Sequence, residues 1–133
     1  MWTNAFVGLP WLDRGRDWKG VDCWGLLYLV YQTKGIAVQS YSESYTSATE
    51  REQVALLAQD ANKSPWLSVE RGQEQSFDML FFRRGRLATH VGVVTARGKM
   101  LHICEGREAV IDRYDLSPWS VKLCGIYRHE AMT

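Results

Sequence analysis

At 133 residues, with 46% hydrophobic and 23% charged residues, the chain has the size of one ordinary domain and enough apolar side chains for its own core. A net charge of +1 gives no electrostatic footing for nucleic acid or an anionic membrane surface, and no apolar run is long enough to span a bilayer. Three cysteines, none in a Cys-x-x-Cys pair, argue against a disulfide framework and against a structural zinc site.

The N-terminus lacks a basic stretch followed by a long apolar one. No signal peptide is expected, and synthesis in a reducing cytosol follows. Residues 2–11 are apolar and allow one helical turn before Gly8 and Pro10. Residues 13–19 are polar and read as a surface loop. The next stretch, Gly20-Val-Asp-Cys-Trp-Gly-Leu26, opens a helix. Leu26, Leu27, Leu29 and Val30 recur at roughly helical spacing, Asp22 is a suitable N-cap, and Gly35 offers a stop. Cys23 then falls in the first turn, where unpaired N–H groups and the helix dipole favour a thiolate.

Residues 36–49 carry many Ser and Tyr and read as an extended loop with Thr49 as a cap. Residues 50–61 form an amphipathic pattern and predict a second helix. After a short strand over residues 66–70 the chain changes character. Strands are predicted over 78–83, 90–95, 99–104, 108–112 and 121–127, with Pro118 as an interruption. Helices followed by a run of antiparallel strands make an α+β domain, read as a single unit over 1–133.

The hairpin after residue 95 decides whether two histidines meet. A two-residue loop pairing Ala96 with Lys99 points His90 and His102 to opposite faces. A three-residue loop pairing Thr95 with Lys99 sets Gly92 opposite His102, with His90 its diagonal neighbour on the same face. Gly98 suits the left-handed third position of such a loop, so this register is expected. Cys23 is then the nucleophile, His90 its base and later the acid for the leaving amine, and His102 the residue that orients His90. The Cys23 N–H is a candidate oxyanion donor. Cys104 falls on the same face as both imidazoles. A metal site of Cys23, His90, His102 and Cys104 is the competing reading, but ligand pairs at metal spacing are lacking and no metal or other cofactor is expected. Cys124 is read as core and His129 as a surface residue.

These residues carry a resemblance. Gly20-Val-Asp-Cys-Trp-Gly-Leu26 is similar to the nucleophile motif Gly-x-Asp-Cys-x-Gly-Leu of the NlpC-type cysteine peptidases, a circularly permuted branch of the papain-like fold. Gly8-Leu-Pro-Trp11, Phe77-Asp-Met-Leu-Phe-Phe82, His90-Val-Gly-Val-Val94 and Met100-Leu-His102 resemble the family's other segments in the same order. The matching parts run from residue 8 to residue 104. Trp11 stands where the family usually has a tyrosine, and Phe77 where it has a glycine. The resemblance implies catalytic Cys23, His90 and His102. It also implies hydrolysis of peptidoglycan stem peptides, typically after γ-linked D-glutamate. Trp11, Asp22 and Trp24 are the expected substrate contacts. Trp24 after the cysteine and the single-domain form look most similar to members encoded with phage tail genes. That implies a place in the virion, synthesis in the host cytoplasm, tail-tip proteins as partners, and no dealings with nucleic acid or membrane insertion. Two other readings stay open: a structural tail-tip module with weak or lost activity, and a cysteine amidase or acyltransferase acting on another substrate.

Overall fold

The computed structural model describes residues 1–40, 61, 63–84 and 87–133. The helix predicted over residues 50–61 and its Thr49 cap lie outside these, Ala61 excepted. Residues 85–86 also lie outside them.

Helix α1 spans Cys23–Thr33 and is capped by Asp22, whose side chain accepts the Gly25 N–H at 2.7 Å. It ends as Gly35 suggested. With Gly35 at φ +77°, the Gly35 N–H bonds to the Gln32 carbonyl and the Ile36 N–H to the Tyr31 carbonyl, the paired bonds of a Schellman motif. Leu26, Leu27, Leu29, Val30 and Tyr31 are all buried, so the helix is enclosed on nearly every side. The stretch ahead of it is a 3-10 turn, Trp2–Ala5, and a small hairpin, β1 (Arg16–Asp17) with β2 (Gly20–Val21), where the sequence suggested only a loop.

The main sheet has the order β3-β8-β4-β5-β6-β7 and is antiparallel throughout. Its strands are β3 (Trp66–Ser68), β4 (Met79–Arg84), β5 (Leu87–Ala96), β6 (Lys99–His102), β7 (Val110–Arg113) and β8 (Leu123–His129). Alternation splits the side chains between two clusters. Met79, Phe81, Val91, Val93 and Leu101 pack with α1, whereas Leu80, Phe82, Val94, Met100 and Ile126 pack with Tyr114 and Trp119. An ion pair between half-buried Arg128 and buried Asp78, at 2.8 Å, ties β8 to the start of β4. The α+β arrangement expected from the sequence is the one observed.

Three expectations are corrected. The last strand starts at Leu123, because residues after Pro118 form a short helix, α2 (Trp119–Lys122). Cys124 is exposed. Phe81 pairs with Gly125 and Phe82 with Leu123, so Cys124 is the extra residue of a bulge and turns out of the ladder. His129 is buried at 6% exposure. Its ring stands edge-on to Tyr31 and Trp66, and its Nδ1 accepts the Ala131 N–H.

The β5–β6 hairpin combines the two registers weighed from the sequence. Its closing pair is Ala96 with Lys99, around Arg97-Gly98, with Gly98 at φ +86°. A shift between Val94 and Ala96 leaves Thr95 unpaired, and the ladder resumes as Val94 with Met100 and Val93 with Leu101. The turn is the short one, but the bulge restores the pairing that puts His90 and His102 on one face.

Candidate active site

Cys23 is the first residue of α1 and is 2% exposed. The Asp22 beneath it is fully buried. One oxygen of Asp22 accepts from the Gly25 N–H and from Arg16 Nη1, both at 2.7 Å, and the other accepts from the Arg14 N–H at 3.0 Å. Burial pushes this carboxyl above its ordinary value, while Arg16 and the two N–H groups pull it down. Gly25 explains itself here. A Cβ at that position would collide with the Gly15 carbonyl, so only glycine lets the preceding loop close over the helix start. The motif around the cysteine is thus a local device: a cap, an arginine behind the cap, and a gap for the loop.

The two histidines are brought together by the sheet. His90 Nε2 lies 2.8 Å from His102 Nδ1. His102 is 3% exposed, and its Nε2 faces Asp112 Oδ2 at 3.3 Å. That contact is electrostatic, since the ring N–H is not aligned as a hydrogen bond. The carboxylate favours the proton on Nε2 of His102. A neutral His102 then accepts at Nδ1 from His90 Nε2–H, and a neutral His90 keeps a bare Nδ1, ready to take a proton. Burial holds both imidazoles neutral. It drives His90 down to about 3, with the neighbouring His102 and the Lys122 ammonium adding to the effect. His102 is also lowered by burial, against the pull of Asp112.

Trp119 closes this group. Its ring stacks on His90 at 5.1 Å and 26°, meets His102 edge-on at 5.1 Å, and its Nε1 donates to Asp112 Oδ2 at 3.2 Å. Neither Asp112 nor Trp119 was singled out from the sequence. Asp112 had a signal. His102 pairs with Val110 in the β6–β7 ladder, so Asp112 is its diagonal neighbour on the same face. Trp119 had none, because its helix follows an irregular segment.

The structure therefore brings His90, His102 and Cys104 into one cluster, their ligand atoms all within 4.8 Å of one another. Cys23 is positioned separately, by α1. That helix packs on β5, whose Val91 and Val93 lie in the same buried cluster as Cys23, whereas the His90 ring, set to the other face by alternation, lies with Phe82 and Trp119. Of the expected substrate contacts, Asp22 is committed to capping, and Trp24 is buried at 3% exposure with its Nε1 donating to the Gln39 carbonyl at 2.8 Å. Both support the helix start. Trp11 is half-buried, bridges to Val21, and has no hydrogen-bond partner for its Nε1 among the described residues. Phe77 adopts φ +76° where a glycine would be unstrained. It is held by stacking on Trp2 at 4.5 Å and by the Lys34 ammonium 3.9 Å from its ring centre.

Comparison with known proteins follows the same lines. No curated protein sequence gave a match. Among solved structures, a NlpC/P60 family protein from Bacillus cereus superposes with a TM-score of 0.70 at 21% identity, over 93% of this chain and 36% of its own. The chain thus spans about a third of that relative's length. The NlpC/p60 domain of the peptidoglycan hydrolase SagA gives 0.63 at 19% identity, over 96% of this chain and 92% of its own. The peptidoglycan hydrolase RipB from Mycobacterium tuberculosis gives 0.61 at 14% identity, over 96% and 60%. The sequence itself matches the profile of the NlpC/P60 family over residues 8–128, and with that match spanning most of its length the chain belongs to the NlpC/P60 family, the cysteine-peptidase family its motifs resemble.

Proposed function

We propose that the protein is a cysteine endopeptidase that hydrolyses peptidoglycan stem peptides. The observation that carries this reading is the His90 Nε2–His102 Nδ1 bond at 2.8 Å, backed by Asp112, which leaves the His90 Nδ1 as a proton acceptor. In the first step His90 takes the Cys23 proton and the sulfur adds to the peptide carbonyl carbon. The oxyanion is held by the Cys23 N–H at the start of α1. The C–N bond then breaks, and the amine leaves with the proton carried by His90. Water, deprotonated by His90, attacks the thioester, and the C–S bond breaks to return the thiol and a carboxylate product. His102 keeps His90 in the right tautomer. Trp11 stands where the family has a tyrosine and is half-buried, but its indole N–H is itself buried, so its contact to substrate is through the exposed part of the ring. Peptidoglycan as substrate rests on family membership and on the hydrolases SagA and RipB among its structural neighbours.

The cut after γ-linked D-glutamate and a station at a phage tail tip rest on the motif resemblance alone. The test is digestion of purified peptidoglycan, with fragments read by mass spectrometry and Cys23→Ala run in parallel. Fragments marking a stem-peptide cut, absent with the variant, are expected. One observation favours a second reading, a structural tail-tip module: Cys23 is 2% exposed. No release by the wild-type protein, together with slow alkylation of Cys23 by iodoacetamide near neutral pH, would establish that reading instead.

A further inference from the structure

The cluster around the imidazole pair holds one group that the proposed hydrolysis does not use. Cys104 follows His102 by two residues, is half-buried, and offers its sulfur within 4.8 Å of a ring nitrogen of both histidines. Two imidazoles and a thiolate are a donor set that zinc takes readily. A tetrahedral zinc with Zn–N of about 2.0–2.1 Å spaces its two nitrogens about 3.3 Å apart. His90 Nε2 and His102 Nδ1 stand at 2.8 Å, so opening by roughly half an ångström admits the ion in place of the shared proton. The second observation is Asp112. A histidine that ligates through one ring nitrogen commonly turns the other toward a carboxylate, which fixes the tautomer and raises ligand basicity. His102 has that arrangement, with Nδ1 toward the cluster and Nε2 toward Asp112 Oδ2 at 3.3 Å. Neutral imidazoles, which burial enforces here, are the form a metal requires.

We propose that His90, His102 and Cys104 form a zinc site, completed by a water, whose occupation disables the imidazole pair. Binding releases the Cys104 thiol proton, and the proton shared between the rings moves to His90 Nδ1, so both histidines ligate as neutral imidazoles. With zinc in place His90 can no longer pass a proton to or from Cys23. The consequence for activity rests on the peptidase reading; the site itself does not.

The test therefore begins with a readout independent of hydrolysis. The full chain is titrated with Co2+ and followed by absorption. A thiolate-to-cobalt charge-transfer band is expected, displaced by Zn2+, unchanged in Cys23→Ser and lost in Cys104→Ser. His102→Gln should weaken cobalt binding at least tenfold. No band in the wild-type protein, or a band that follows Cys23 or the exposed Cys124, overturns the site. A measurement that needs no variant runs beside it. Zn2+ should slow iodoacetamide labelling of Cys104, mapped by mass spectrometry, and leave Cys124 labelled at its original rate. Equal labelling of Cys104 with and without the ion overturns it too. If peptidoglycan is hydrolysed, Zn2+ should inhibit the wild-type protein and inhibit Cys104→Ser at least tenfold less, each compared with its own activity without metal.

Discussion

The two halves of the candidate site are built in different ways. The candidate nucleophile, Cys23, is set by neighbours in sequence: Asp22 caps the helix, Arg16 backs the cap, and Gly25 leaves room for the Gly15 carbonyl, all between residues 15 and 25. The imidazole pair is set by distant ones. His90 sits on β5 and His102 on β6, Asp112 on β7 and Trp119 on a helix beyond, and a bulge at Thr95 is needed to bring the rings to one face. A local device breaks cleanly when one residue changes. A device assembled from four elements loses function by degrees.

The sharpest break is Cys23→Ala. On the peptidase reading, removing the nucleophile leaves only binding and oxyanion stabilisation, so stem-peptide release should fall about a thousandfold or more, with the thermal midpoint little changed. Mass spectrometry of the digest beside a melting curve checks both parts. Gly25→Ala attacks the same half through its backbone. The added methyl has nowhere to go against the Gly15 carbonyl, and overpacking of this kind costs about 1–3 kcal/mol. Urea denaturation should show that loss. Gly92→Ala is the control on the strand side. Its Cβ would meet the flexible end of Met100 at 2.7 Å, which can move aside, so the loss there should be smaller.

Asp112→Asn tests whether the strand half is graded. The carboxylate lies 3.3 Å from His102 Nε2 and is about half exposed, so its removal should leave the fold intact and relax the tautomer preference. Turnover should drop about tenfold, as supporting residues of this type often show, with KM near its original value. Asp112→Glu should recover part of the loss, which a purely structural role would not predict. Trp119→Phe keeps an aromatic ring beside His90 but removes the donor to Asp112, so a smaller fall in turnover is expected from it.

The same contrast explains what was legible in the sequence. The α1 start was readable because cap and cysteine are adjacent, and the structure keeps both in the expected place, while the clearance that Gly25 gives the Gly15 carbonyl shows only in the fold. The face shared by His90, His102 and Cys104 was readable from strand period, although the turn that delivers it was misjudged. A two-residue Arg97-Gly98 loop looked incompatible with that face, and only the bulge reconciles the two. A bulge adds one residue to one strand, and neither composition nor alternation marks which. The Cys124 bulge was missed for the same reason, and an apolar-looking strand position turned out to face solvent. His129, read as a surface residue near the C-terminus, is buried because β8 pairs with β3 and places it against Trp66. Asp112 was within reach of strand period, two residues along β7 from the partner of His102, whereas Trp119 follows an irregular segment that spacing along the chain does not encode.

The smallest effect separates the halves by pH. Burial lowers both His90 and His102. Below an ordinary histidine value of about 6.5 the unfolded chain takes up protons that the folded pair refuses, so the unfolded state holds more protons and stability falls as pH falls. For His90 that decline continues toward its folded value of about 3. His129, lowered by burial against Glu130, contributes in the same direction. Asp22, raised by burial, works the opposite way, because its folded form takes a proton before the unfolded one does. Glu74 and Asp115 are lowered carboxyls, and their share of stability is lost only as pH drops through the ordinary carboxylate range. Between pH 7 and pH 5 the histidines therefore dominate. Melting curves of the wild-type protein should shift downward across that interval. The double variant His90→Gln, His102→Gln should shift less, retaining the part due to His129, while Cys23→Ala should shift as the wild-type protein does. An equal shift in all three would mean that the imidazole pair is not held neutral by burial, and that the proton-accepting Nδ1 of His90 has another origin.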